Sequence, residues 1–215
     1  MPDLIIRKYK PKDEQAIRRI CFDTALYGRP IKKYIKNPIL ISETFLGYYI
    51  RFEPDNILIA EIDGQVAGYL SGCLNTKRYK KIFARRIFPR LIWIFIFQGY
   101  FLKINVWQAA YASVVPALKW NKTHKHLLDN YPAHFHIDID SNFQGQGVGQ
   151  QLVSQFIKKL EEKKVNGIHL DTATSGGQHF FIKMGFKVLS KEKMSSFFGL
   201  PSHELWIMGK KLLTK

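Results

Sequence analysis

The sequence predicts an α/β fold, a mixed central β-sheet with helices on both faces. Three observations carry that prediction. Residues 134–160 run as an alternating strand, a glycine-rich turn and an amphipathic helix in direct succession. Ahead of them, two apolar strand segments flank Asp63-Gly64, a dipeptide that favours a tight hairpin. Behind them, residues 168–172 form a further strand after an Asn166-Gly167 turn. With 215 residues and 46% hydrophobic content, the chain can bury one full domain with an elaboration.

The elements follow in order. Residues 4–9 read as a first strand. Pro11 and Asp13 end it and open a helix through Ile17, Ile20 and Cys21. Residues 25–50 hold a second helical stretch, with Tyr27, Tyr34, Tyr48 and Tyr49 available to line a pocket. Residues 56–62 and 66–73 form the hairpin. Residues 75–131 then depart from regular alternation. Lys77, Arg78, Lys80, Lys81, Arg85, Arg86 and Arg90 crowd together, and residues 91–97 are wholly apolar. A largely apolar stretch continues to Leu118, broken by Lys103. This reads as an inserted helical subdomain between the third and fourth strands. After residues 168–172 and the segment 174–186 comes a strand from Lys187. Residues 204–208 pair back after a turn at 195–201.

In the central stretch Phe135, Ile137 and Ile139 alternate with His134, His136, Asp138 and Asp140, the period of a half-buried strand. Leu152, Val153, Phe156, Ile157 and Leu160 make one apolar stripe on the helix that follows. A glycine-rich turn opening a helix presents free N–H groups and the positive end of a helix dipole to an anion. Glycine lets a phosphate approach where a Cβ would hold it off. The spacing is neither that of a P-loop nor G-x-G-x-x-G. Gln144-Gly145-Gln146-Gly147-Val148-Gly149 fits Q/R-x-x-G-x-G/A, and so resembles the coenzyme A signature of the GNAT superfamily of N-acetyltransferases. Residues 139–143 look like that family's V-D-P-x-Y approach, with Ser141 in place of proline. The opening strand, P-x-D and helix, and the D-G hairpin, resemble the family too. Residues 174–186 are similar to its C-terminal signature, N-x-x-A-x-x-F-Y-x-K-x-G-F. Phe180, Lys183, Gly185 and Phe186 match; Thr174, Gly177 and Phe181 stand where Asn, Ala and Tyr are usual. The resemblance covers residues 1–74 loosely and 132–210 well. YPAHFHIDID, the hairpin and ICFDTA together are similar to bacterial relatives of the acetyltransferase-like domain of O-GlcNAcase.

The resemblance implies one GNAT domain over residues 1–215 with an insertion at 75–131. It implies direct transfer of acetyl from acetyl-CoA to a primary amine of a small molecule or peptide, with acetyl-CoA as co-substrate and no metal. The cofactor would meet backbone of Ile137 and Ile139, the turn residues Gln144, Gly145, Gln146, Gly147, Val148, Gly149 and Gln150, and Thr174, Ser175, Phe180 and Lys183. The reaction needs a base for the amine, and Asp138 and then His136 are the candidates on the polar face of the strand. A hydrogen-bonded structural role stays open for both. His134, His136 and Asp138 could converge on a metal ion, but nothing in the sequence supplies a clear fourth ligand. The general acid is missing: Phe181 has no proton to give, which leaves Ser175, another tyrosine or water. That gap keeps open a degenerate module that binds acyl-CoA or a partner without turnover.

The net charge is +16, from 33 Lys+Arg against 17 Asp+Glu. A small anionic cofactor does not call for so large an excess, so a second negative partner is a natural reading, and a basic soluble surface is the alternative. No nucleic-acid-binding motif is present, which makes nucleic acid the weaker choice. Basic-then-apolar order across residues 77–118 points to an anionic membrane surface. The insertion thus has three readings: a lid that shapes an acceptor pocket, which is preferred; an interfacial membrane helix using Trp93, Phe95 and Phe97; or an oligomer contact such as a homodimer. Its apolar character also leaves room for longer acyl chains. Cys21 and Cys73 have no metal or redox spacing. The charged N-terminus does not read as a signal peptide. A cytoplasmic protein, with a peripheral membrane contact as an option, is expected.

Overall fold

A computed structural model of the chain describes residues 3–104, 106–107, 126–194 and 202–212. Seven strands form one sheet: β1 (Leu4–Lys8), β2 (Ile57–Ile62), β3 (Gln65–Cys73), β4 (Ala133–Ile139), β5 (Gly167–Thr172), β6 (Lys187–Met194) and β7 (His203–Lys211). Their spatial order is β1-β2-β3-β4-β5-β7-β6. Every neighbouring pair is antiparallel except β4 and β5. The β2–β3 hairpin turns through Asp63 (φ 49°) and Gly64 (φ 77°). Two successive left-handed residues are what a type I′ turn requires, and Asp-Gly supplies them cheaply.

Both faces of the sheet are covered. One carries α1 (Glu14–Thr24) and α2 (Pro38–Phe52), with Ile17, Ile20, Leu46 and Tyr48 packed against Ile57, Ile59 and Tyr69. The other carries α6 (Val148–Glu162) and α7 (Ser175–Lys183). There Leu152, Val153, Phe156 and Leu160 are buried on Leu58, Leu70 and Phe135. Coverage on both sides explains why β2, ILIAEI, is apolar at nearly every position instead of alternating. Gly72 fits under α6 because any Cβ there would lie 2.1 Å from the Phe156 ring.

The described part of the insertion starts as α3 (Thr76–Ile82) and continues through a single π-turn at Phe83–Ile87 into α4 (Phe88–Phe97). Pro89, inside the first turn of α4, lacks the N–H that a continuous helix would use. This run lies on α2. Arg90 Nε reaches Glu43 at 3.2 Å, Asn37 donates to Gln98 at 2.9 Å, and Ile87 and Tyr100 are buried. Phe95 packs toward the core, so it does not belong with Trp93 and Phe97 on an outward face as expected. Tyr48 also departs from expectation. It is core, its hydroxyl donating to Glu53 at 2.6 Å, and lines no pocket. The rest of the apolar stretch to Leu118 and the turn expected at 195–201 lie outside the described residues. A short helix, α5 (Leu127–Asn130), leads into β4. No described helix is long and apolar enough to cross a membrane.

Candidate active site

The site begins where the sheet comes apart. β4 and β5 pair only at Ala133↔Ile168 and His134↔His169, although β4 continues to Ile139 and β5 to Thr172. On its other edge β4 pairs with β3 along its length, Cys73↔His134 through Gly68↔Ile139. Asp140 N–H donates to Ala67 O at 2.9 Å, in phase with that register. In an antiparallel pair alternate residues bond across, so 134, 136 and 138 turn their main-chain groups to β3. The main-chain groups of Phe135, Ile137 and Ile139 therefore point into the gap. Ile139 O is met by Gln144 Nε2 at 3.2 Å. The open edge past His134 can receive an extended, amide-bearing chain as another strand would.

The glycine-rich turn stands at the end of that edge. Asp140 caps a short 3-10 turn by accepting from Asn142 N–H at 3.1 Å and pairs with Arg19 at 2.9 Å. Gly145 (φ 76°) and Gly147 (φ 79°) are left-handed, and Gly147 is the N-cap of α6. Nothing lies within 4 Å of a Cβ built at either one. The first-turn N–H groups of Val148, Gly149 and Gln150 have no carbonyl four residues back within the helix. Gly149 faces the Phe180 ring, 3.4 Å from a Cβ built there. Gln146 braces the turn through Asn142 O at 3.2 Å. The turn is an open cradle of N–H groups at the positive end of a 15-residue helix.

α7 borders the gap from the β5 side. Thr174 caps it, its hydroxyl accepting from Gly177 N–H at 3.1 Å. A Cβ at Gly177 would fall 2.3 Å from Thr172 Oγ1, which explains glycine where the sequence pattern has alanine. Ser175 and Lys183 are exposed. Phe181 is buried among Phe135, Phe180 and Phe186, remote in character from any proton-transfer role.

On the α1–α2 face of β4 the polar residues form a connected group. Asp138 accepts from Tyr69 Oη at 2.5 Å and pairs with His136 Nε2 at 3.0 Å. The His136 ring stacks on Phe45, centroids 5.0 Å apart and 14° from parallel. Burial pushes His136 down, but the Asp138 charge and hydrogen bond outweigh it and raise its pKa to about 10. Burial alone would raise Asp138; the His136 charge and the two hydrogen bonds hold it below the usual carboxylate range. Both directions favour an imidazolium–carboxylate pair. His134 differs from His136 although it shares the face. Its nitrogens meet Tyr49 Oη at 2.9 Å and Thr76 Oγ1 at 2.7 Å, and burial holds it neutral.

Cys21, on α1, brings its sulfur within 4.8 Å of ligand atoms of His136 and Asp138. Among the described residues this is the group with metal-ligand proximity, and His134 is not in it. Tyr69, Phe45 and Cys21 were not foreseeable from the motif. They come from β3, α2 and α1 and converge only through strand register and helix packing.

The sheet, its split between β4 and β5, and the cradle define the GNAT fold. Residues 110–188 match the family model described as acetyltransferase (GNAT) domain. Among solved structures, the chain resembles SsHAT at 20% identity, with 99% of this chain and 100% of that chain covered and a TM-score of 0.69. An N-acetyltransferase from Staphylococcus aureus Mu50 is 16% identical over 98% and 99%, TM-score 0.60. The Salmonella typhimurium protein yncA, described as an acetyltransferase and solved with acetyl-CoA, is 15% identical over 99% and 96%, TM-score 0.62.

Proposed function

We propose that the chain is an acetyl-CoA-dependent N-acetyltransferase acting on a primary amine, with residues 1–215 as one catalytic unit and 75–131 as its lid. The observation that carries this reading is the split of β4 from β5 ending at the α6 cradle. Pantetheine would run along Ile137 and Ile139. The pyrophosphate would rest on the N–H groups of residues 144–150, flanked by Thr174, Ser175, Phe180 and Lys183. The thioester would then lie beside His136 and Asp138. The neutral amine attacks the thioester carbonyl, the C–N bond forms, the C–S bond breaks, the thiolate takes a proton from His136, and the nitrogen sheds one that restores it. His136, held as imidazolium by Asp138, is the proton donor that Phe181 cannot be; Tyr69 and Asp138 position it. No step calls for a metal, so a chelator should leave turnover unchanged. Thiol release from acetyl-CoA with a panel of primary amines tests the reading, and coenzyme A binding without any amine-dependent release would leave only the non-catalytic module. Kinship with the O-GlcNAcase acetyltransferase-like domain is the narrower form of the proposal.

A second reading concerns the outer surface. Trp93, Phe97, Leu102 and Ile104 are 61%, 72%, 77% and 69% exposed, close in sequence to exposed Arg85, Arg86 and Arg90. Such a surface suits an anionic bilayer or a second copy of the chain. Co-sedimentation with anionic vesicles at low salt would support the first. Absence of co-sedimentation together with a dimer in solution would favour the second.

A further inference from the structure

Resting on the acetyl-CoA reading, the inference concerns a residue across the gap from β4. Ile168 and Leu170 of β5 are buried on the α6–α7 side, so by alternation His169 and Asp171 face α1 and α2. His169 is buried and bound to Tyr131 O at 2.7 Å. Asp171 is exposed, two residues beyond the last pairing of β5 with β4. It therefore stands at the mouth of the gap, on the same side as His136.

Its carboxylate is set apart by having no side-chain hydrogen bond or ion pair among the described residues. Its counterparts on this face are engaged. Asp138 holds Tyr69 and His136, Glu43 holds Arg18, Arg51 and Arg90, and Glu53 holds Tyr48 and Asn56. In a chain with nearly twice as many basic as acidic residues, a carboxylate with no direct ion pair at the mouth of a cleft is conspicuous; the charge that acts on it is that of His136. On the same face Phe45 is 38% exposed over His136, and burial, with a smaller contribution from the Asp171 charge, raises the phenols of Tyr27 and Tyr79. A carboxylate close to aromatic faces suits an ammonium group.

We propose that Asp171 binds the acceptor as its ammonium ion and takes the proton that the amine sheds before attack, so the acceptor is a cationic amine carrying an apolar or aromatic body. The protons balance. R-NH3+ gives one proton to Asp171. The free amine attacks, coenzyme A leaves as thiolate and takes a proton from His136, and the second amine proton returns to His136. Asp171 then releases its proton to water.

The test compares binding of 2-phenylethylamine with 2-phenylethanol and of tryptamine with tryptophol, by calorimetry, with and without coenzyme A. Wild-type protein should bind at least one amine about tenfold or more tightly than its alcohol. Asp171→Asn should abolish that preference, leave alcohol binding and the coenzyme A thermal shift unchanged, and raise KM for the amine. Asp171→Glu should restore part of the preference. Equal binding of amine and alcohol to the wild type, or a preference that survives Asp171→Asn, overturns the proposal while a retained coenzyme A shift leaves the acetyl-CoA reading standing. A wild-type protein with no coenzyme A shift overturns that reading whatever the amines do.

Discussion

Gly147→Ala isolates the cradle from the stability of the fold. Gly147 has φ 79° and nothing within 4 Å of a built Cβ. The substitution therefore makes no clash and costs only the left-handed strain, about 1 kcal/mol. For a chain of this size that lowers the unfolding midpoint by roughly 2–4 °C. The methyl projects into the open cradle where a phosphate would sit. Coenzyme A at 100 times its Kd stabilises a protein by about 2.7 kcal/mol, or roughly 5–11 °C on the same scale. Gly64→Ala provides the control, because Gly64 has φ 77° and equally empty surroundings in the β2–β3 hairpin, outside the glycine-rich turn. Differential scanning fluorimetry with and without coenzyme A should show both variants losing a similar 2–4 °C on the scale above. The ligand shift should survive in Gly64→Ala and nearly vanish in Gly147→Ala. Equal ligand shifts in the two variants would refute phosphate binding at this turn.

Three further expectations follow from the same contacts. His136 has its pKa raised from 6.5 to about 10, so its contribution to stability is complete below 6.5, declines above it and is gone by about 10. The stability gap between wild type and His136→Gln, from denaturant titrations, should close over that range. On the acid side His169, lowered to about 4, costs stability as pH falls from 6.5 toward 4, and the Asp138 contribution fails only below the ordinary carboxylate range. Phe181→Tyr should not raise the rate of acetyl transfer, and its hydroxyl, set among Phe135, Phe180 and Phe186, should cost about 1–3 kcal/mol, seen in urea unfolding. Glu43→Gln leaves Arg18, Arg51 and Arg90 facing one another without their shared anion. It should cost about 3 kcal/mol and loosen α4 from α2, measured as faster amide exchange in residues 88–97.

The central strand and the helix after it were legible because two periods meet there, two residues in β4 and 3.6 in α6, with glycines between them. The hairpin was legible because Asp63-Gly64 has few other uses. The polar face of β4 was also readable from alternation. Which of its members would be free to act was not. His134 and His136 are two residues apart in the same strand, yet one is held neutral by burial between Tyr49 and Thr76 and the other charged by Asp138. That distinction depends on α2 and α3, whose placement no local pattern specifies. Asp171 looked like an ordinary strand residue because its importance comes from where β4 and β5 part. Tyr48 and Phe95 were misread for a related reason. The apolar residues of α2 and of the insertion's helix spread round both faces, so the buried side could not be chosen from the sequence.

The central claim is that the gap between β4 and β5 delivers acetyl from acetyl-CoA to an amine. The most direct measurement follows both products together, free coenzyme A thiol and N-acetylated amine by mass spectrometry, in wild type and Gly147→Ala. The account expects the two products in equal amounts from the wild type and a large loss of both in the variant. Thiol release without acetylated amine, or equal transfer by the two proteins, would contradict it.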